Sequence, residues 1–145
     1  MLWRCAARRD PVHHEVPDDA IRDEQVRCLL AWLEPGAAAV EVIVGDFNAD
    51  PAGPADARLT AAGFRSALCE ANGAGPAVTW PSGLQGPAID TDGEPGCLDH
   101  IWLRGDVAVE SARLVVDRPA VHDPRLYPSD HVGLRARLRL GRGPQ

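Results

Sequence analysis

The chain contains no lysine. All fifteen basic residues are arginine, and twenty-one acidic residues outnumber them to give a net charge of −6. Proteins that grip nucleic acid by its phosphates ordinarily carry a basic surface, so this balance leans away from nucleic acid while leaving it possible. Coding bias in a chain rich in Ala, Arg, Gly and Pro accounts for the missing lysine. Cysteine is sparse: Cys5, Cys28, Cys69 and Cys97 lie far apart with no C-x-x-C pair. That spacing argues against a zinc cluster and points to a reducing, cytoplasmic setting. No apolar run has the length of a membrane span. The opening MLWRCAARRDP has early arginines but neither an apolar core nor a small-residue cleavage site, which makes it a poor signal peptide. What remains is 145 residues, 45% hydrophobic and 25% charged, the mix and size of at most one ordinary soluble domain.

The stretch richest in information is Val40 to Pro51, VEVIVGDFNADP. Its β-branched run of Val40, Val42, Ile43 and Val44 predicts a strand buried on both faces. Gly45 permits a bend or a close approach. The chain should stay extended through Asn48, so the two-residue period puts Asp46 and Asn48 on one side and a buried Phe47 on the other. Asp50-Pro51 then signals a turn. A strand ending in Gly-Asp and a polar turn is also a common structural arrangement, so this motif alone decides nothing.

Upstream, residues 1–12 show neither period, and His13-His14-Glu15 reads as a solvated polar loop more readily than as metal ligands. A helix is predicted from Pro17, with Asp18 and Asp19 complementing its positive end. Ile21, Val26, Leu29, Leu30 and Leu33 form its apolar stripe, and Pro35-Gly36 stops it. A second, short helix is expected from Pro54 to Ala62, ended by Gly63. Residues 70–97 are rich in Gly and Pro, with Val78-Thr79-Trp80 as a candidate short strand. The acidic string Asp90, Asp92, Glu94 lacks the spacing of a calcium loop and reads as solvated. Leu98 to Leu103, LDHIWL, predicts a core strand in which Asp99 shares a face with Ile101 and Leu103. A carboxylate in an apolar row is costly unless the position opens onto a polar site. Val107 to Val116 is expected to return as that strand's hairpin partner. After Ser129-Asp130-His131, Val132, Leu134, Ala136, Leu138 and Leu140 alternate with Gly133, Arg135, Arg137 and Arg139, a strand with a solvated arginine face.

GDFN, LDHI and SDH each place an acidic group at the end of a hydrophobic strand, with Asn or His close by. In this order and spacing the three motifs resemble the endonuclease/exonuclease/phosphatase superfamily, and they match the second half of its domain. The resemblance implies an α+β fold, half of a four-layer α/β/β/α sandwich (deoxyribonuclease I-like). The partial domain would run over residues 13–140, leaving 1–12 unassigned and a disordered tail at 141–145. It also implies roles for particular residues. Asp46 would orient or deprotonate the attacking water, and Asn48 would donate to a phosphate oxygen. Asp130, with Asp46, would hold Mg²⁺ (or Mn²⁺). His131 would bind the phosphate or transfer a proton, held in its tautomer by Asp99. Either His13 or His14 matches a histidine of the family, or that match falls on Pro11 and is lost. The family's early Asn and metal-binding Glu have no counterpart here. The implied activity is therefore metal-dependent hydrolysis of a phosphate ester, either a diester or a monoester, by an incomplete catalytic domain. The alternative is a truncated non-catalytic relative, or a half-domain that binds a partner.

Overall fold

A computed structural model of the chain describes residues 18–33, 38–49, 51–73, 78–86, 89 and 94–141. The expectations for His13, His14, Pro17, Pro35-Gly36, Asp50, Asp90, Asp92 and the tail beyond Gly141 fall outside these residues. The first element, α1 (Asp18–Trp32), is the predicted amphipathic helix. It buries Val26 and lays Leu30 and Leu33 against the core, while Ile21 stays 39% exposed. Helix α2 (Pro54–Ala61) begins with proline in its first turn and ends where predicted, with Gly63 at φ 85° accepting the left-handed geometry. Arg58 on α2 grips Asp23 on α1 with a two-bond fork, Nε to Oδ1 at 2.5 Å and Nη2 to Oδ2 at 2.6 Å. The two helices therefore form one layer.

Strand β1 (Val40–Asp46) pairs antiparallel with β3 (Asp99–Gly105) along its whole length, in the register Val40↔Gly105 through Asp46↔Asp99. The two-residue strand β2 (Arg65–Ser66) adds to the other edge of β3, giving the order β1-β3-β2. Ser66 also caps α3 (Ala67–Asn72), its hydroxyl accepting from the Cys69 amide at 3.4 Å. Neither β2 nor α3 was evident in the sequence, since two and six residues are too few to display a period.

A second sheet pairs β4 (Val107–Val115) with β5 (Gly133–Leu140). This corrects the predicted hairpin between the LDHIWL strand and Val107–Val116: β3 and β4 are consecutive but belong to different sheets. The chain changes sheet at Gly105, where φ is 99° and an added Cβ would lie 2.1 Å from the Ala39 carbonyl oxygen. Only glycine fits there. Val78-Thr79-Trp80 forms no strand, contributing one isolated bridge, Trp80↔Gly96.

Side-chain alternation on β3 separates two cores. Trp102 packs with Phe47, Ile43 and the helices. Ile101 and Leu103 face the second sheet, meeting Val107, Val109, Ala112, Leu134, Ala136 and Leu138. A bulge between Val109 and Ser111 shifts β4 by one residue, which is why Ala112 rather than Ser111 points inward. The layers thus run helices, sheet, sheet. The prediction that β1 is buried on both faces is also corrected. Val42 and Val44 share the inner face with Val40 yet are 48% and 65% exposed, because β4 and β5 cover β3 and not the far end of β1.

Two outcomes follow from this packing. Leu103, fully buried, should lose about 2–5 kcal/mol on replacement by alanine, whereas Val44→Thr should stay within about 0.5 kcal/mol. Urea denaturation of the two variants measures the contrast, and equal losses would mean that the Val44 face is covered in solution. His100 supplies the second. It is buried between Phe47 and Trp102, with its Nε2 3.1 Å from the Cys97 carbonyl oxygen. Burial holds its pKa below the ordinary 6.5, against partial opposition from Asp56 and nearby carbonyls. The unfolded chain therefore binds the proton first, and this contribution to stability falls as pH drops below about 6.5. Melting temperature should decline less steeply with acid in His100→Phe than in the parent chain.

Candidate active site

The β1–β3 register sets Asp46 directly opposite Asp99 at the same end of the first sheet. Side chains directly opposite in an antiparallel pair lie on one face and within reach of common partners. His131 arrives from the segment before β5, and its Nδ1 lies 2.8 Å from Asp99 Oδ2. An ionised carboxylate can only accept, so Nδ1 carries the proton and Nε2 is left for chemistry. Burial pulls the His131 pKa down, but the Asp99 hydrogen bond and the charges of Asp99, Asp46 and Asp130 outweigh it, leaving the pKa above its ordinary value.

Asn48 does not sit in extended chain as predicted. Its φ of 47° turns the backbone back toward Asp46. The carboxylate of Asp46 then accepts twice from Asn48, Oδ1 from the backbone amide at 2.8 Å and Oδ2 from the side-chain amide at 3.0 Å. Arg22 of α1 secures this turn by donating to the Asn48 carbonyl oxygen at 3.1 Å. Phe47 is buried at 8% exposure and its amide donates to the Leu98 carbonyl oxygen at 2.8 Å, tying the motif to the start of β3.

Asp130 enters the same neighbourhood beside His131. Its Oδ1 accepts from the Ser129 hydroxyl at 3.2 Å, and that hydroxyl in turn accepts from the His131 amide at 3.1 Å. The structure thus gathers Asp46, Asn48, Asp99, Asp130 and His131 at one end of the sheets. Sequence reasoning missed the strut that sets their spacing, the run from Thr79 to Ser82. The Ser82 amide donates to the Asp130 carbonyl oxygen at 2.8 Å, and the Val132 amide donates to the Thr79 carbonyl oxygen at 2.7 Å. The only signal for it in the sequence was the short apolar run of Val78-Thr79-Trp80 in a Gly- and Pro-rich region.

The sequence matches the model of the Endonuclease/Exonuclease/phosphatase family over residues 4–131. The chain belongs to that family. Solved structures with a similar fold include the endonuclease/exonuclease/phosphatase from Bacteroides vulgatus, at 22% identity and a TM-score of 0.62, covering 85% of this chain and 45% of that one. D. rerio TDP2, solved with a single-strand DNA product, matches at 19% identity and a TM-score of 0.61, covering 88% and 53%. A family protein from Leptotrichia buccalis matches at 17% identity and a TM-score of 0.53, covering 81% and 42%. A comparison with curated proteins finds no match. The chain spans about half the length of the solved structures it resembles, and the α+β fold expected from the motifs is the fold they share. No helix among the described residues is long and apolar enough to cross a membrane.

Members of this family generally depend on a divalent metal. Among the described residues, however, no group of three or more His, Cys, Asp or Glu side chains is placed to hold a metal ion. Asp46 and Asp130 offer two carboxylates, with one accepting position on each Asp46 oxygen given to Asn48 and another left free. These residues do not by themselves make up a metal site. Mg²⁺ gives up its waters reluctantly and requires near-octahedral geometry. Titration calorimetry of the 145-residue chain should accordingly show weak Mg²⁺ binding, without a tight stoichiometric step. Tight binding would point to ligands outside the described residues, His13 and His14 among them.

Proposed function

We propose that this chain carries part of the catalytic site of a phosphoester hydrolase, working on a phosphodiester or phosphomonoester by water attack. The observation that carries the reading is the Asp99–His131 pair at 2.8 Å, set beside Asp46 by the strand register. The family match supports the reaction class. In this reading Asp46 orients the attacking water and takes its proton, since each carboxylate oxygen keeps accepting capacity beyond its bond to Asn48. Asn48 gives one amide hydrogen to Asp46 and the other to a phosphate oxygen. His131, protonated more readily than an ordinary histidine, donates from Nε2 to the phosphoryl group as charge builds there. Asp99 fixes the ring and stabilises the imidazolium. A bound Mg²⁺ or Mn²⁺ would need ligands beyond Asp46 and Asp130 and would supply charge stabilisation at the phosphoryl oxygens.

In this reading residues 13–140 form a partial domain, most of which lies within the family match over residues 4–131. D. rerio TDP2 was solved with DNA, which makes nucleic acid one substrate to try. The net charge of −6 makes small or lipid phosphoesters equally worth trying. A second reading, a half-domain that works only against a partner, is favoured by one observation. The inner face of β1 leaves Val42 and Val44 exposed beside the site.

Kinetics test the first reading. In whatever form of the protein hydrolyses a generic phosphodiester, Asp46→Asn, Asn48→Ala and His131→Ala should each lower kcat on the order of 10²-fold with smaller effects on KM. Asp99→Asn should lower it too, and the double variant with His131→Ala should be little worse than His131→Ala alone. Arg137→Ala, on the solvated face of β5, should leave rates nearly unchanged. Multiplying losses at Asp99 and His131 would dissolve the pair.

A further inference from the structure

We propose that Thr79 is a positioning residue, whose buried hydroxyl fixes Asp99 and thereby the His131 ring. Thr79 is 0% exposed although its side chain is polar. Its Oγ1 accepts two backbone amides in succession, Leu98 N–H at 2.9 Å and Asp99 N–H at 3.1 Å. Leu98 precedes β3, and Asp99 is its first residue. At that point the sheet ladder supplies no partner on this side, because β2 pairs only with Trp102 and Leu103. A single oxygen with two lone pairs therefore replaces the missing strand and satisfies both donors.

The backbone of Thr79 is committed as fully. Its amide donates to the Gly96 carbonyl oxygen at 2.9 Å, and its carbonyl oxygen accepts from Val132 at 2.7 Å. One residue thus binds the segment leading into Asp99 and the residue immediately after His131. The gap between carboxylate and imidazole is set from behind, through backbone groups flanking the two side chains. A hydroxyl is required for this role. Valine has the same shape but would leave two N–H groups without an acceptor in a buried place.

The inference builds on the hydrolytic reading above, so its test includes arms that need no activity. In the full 145-residue chain, NMR should show a downfield His131 Nδ1–H resonance protected by its bond to Asp99 and abolished in His131→Ala. Thr79→Ser, which keeps the hydroxyl, should retain that resonance, whereas Thr79→Val should broaden or lose it. Hydrogen exchange should separate the same variants. The Leu98 and Asp99 amides should exchange slowly in the parent and in Thr79→Ser, and faster in Thr79→Val, while Leu103 at the centre of β3 stays protected. In an active form, Thr79→Val should cut kcat at least tenfold at nearly constant KM, Thr79→Ser should restore it, and Thr79→Val should add little to Asp99→Asn.

A sharp His131 resonance in Thr79→Val, or an unchanged kcat, would overturn the proposal. Should Thr79→Val fail to fold, rapid exchange of the Leu98 and Asp99 amides in the parent chain would overturn it equally. Parent protein that hydrolyses no phosphoester, with the NMR differences intact, would sink the hydrolytic reading and leave Thr79 as the element that positions the pair.

Discussion

The antiparallel pairing of β1 with β3 is the constraint on which the site depends. Its register brings Asp46 and Asp99 face to face, and like charges directly opposite each other in a sheet destabilise it. The same face continues into Ile101 and Leu103, buried against the second sheet, where a carboxylate is costlier still. Such an arrangement persists only with compensation. His131 provides it, contributing a proton donor to Asp99 at 2.8 Å, and the surrounding carboxylates favour its charged form. Asn48 offsets the other half by giving two hydrogen bonds to Asp46. The acidic pair and its two partners thus form one electrostatic unit, and the fold tolerates the pair because the partners are there.

The two faces of β3 carry different tasks. On the helix side, His100 and Trp102 stack at 5.7 Å, and Phe47 meets His100 edge-on at 5.6 Å. That cluster locks the GDFN turn to β3 without contributing a group to the Asp46–Asp99–His131 cluster. Arg104, paired with Glu41 and lying 4.4 Å over the Phe64 ring, extends the same lock toward the far end of the strands. On the opposite face the acidic groups emerge where the second sheet ends. Rigidity is therefore supplied from one side and chemistry offered from the other, as a strand's two-residue period allows.

The motifs GDFN, LDHI and SDH were legible because each joins a strong local pattern to an anomalous polar residue. A carboxylate in the row of Ile101 and Leu103 already required a partner, whatever the fold. The helix at Asp18–Trp32, the α2 stop at Gly63 and the arginine face of β5 followed from periodicity and caps. Pairing was less legible. Val107 lies two residues after β3 across a turn sequence, so a hairpin is the local expectation. The glycine at 105 instead lets the chain cross to another sheet, a choice made by distant packing against β5. Asn48 was misplaced because its left-handed turn is stabilised by its own bonds to Asp46, an Asx-type effect that strand propensity does not register. Thr79 could not be singled out at all, because nothing local distinguishes a buried threonine that accepts from chain twenty residues away.

Val42 and Val44 bear on how the two functional readings divide. Their composition is that of a strand covered on both faces, yet the second sheet stops short of them and they stand 48% and 65% exposed. An apolar pair on the same row as Asp46 places water against the side of the site, and charges in contact with bulk water interact far more weakly than in a dry cleft. Cover over that row would thus do two things together, removing apolar area from solvent and strengthening the field among Asp46, Asp99 and His131. The chain spans about half of each structure it resembles, and the hydrolytic and partner-binding readings converge on this one face. Cover over that face, from the same polypeptide or a separate chain, would also complete the electrostatic environment in which Asp46 would work.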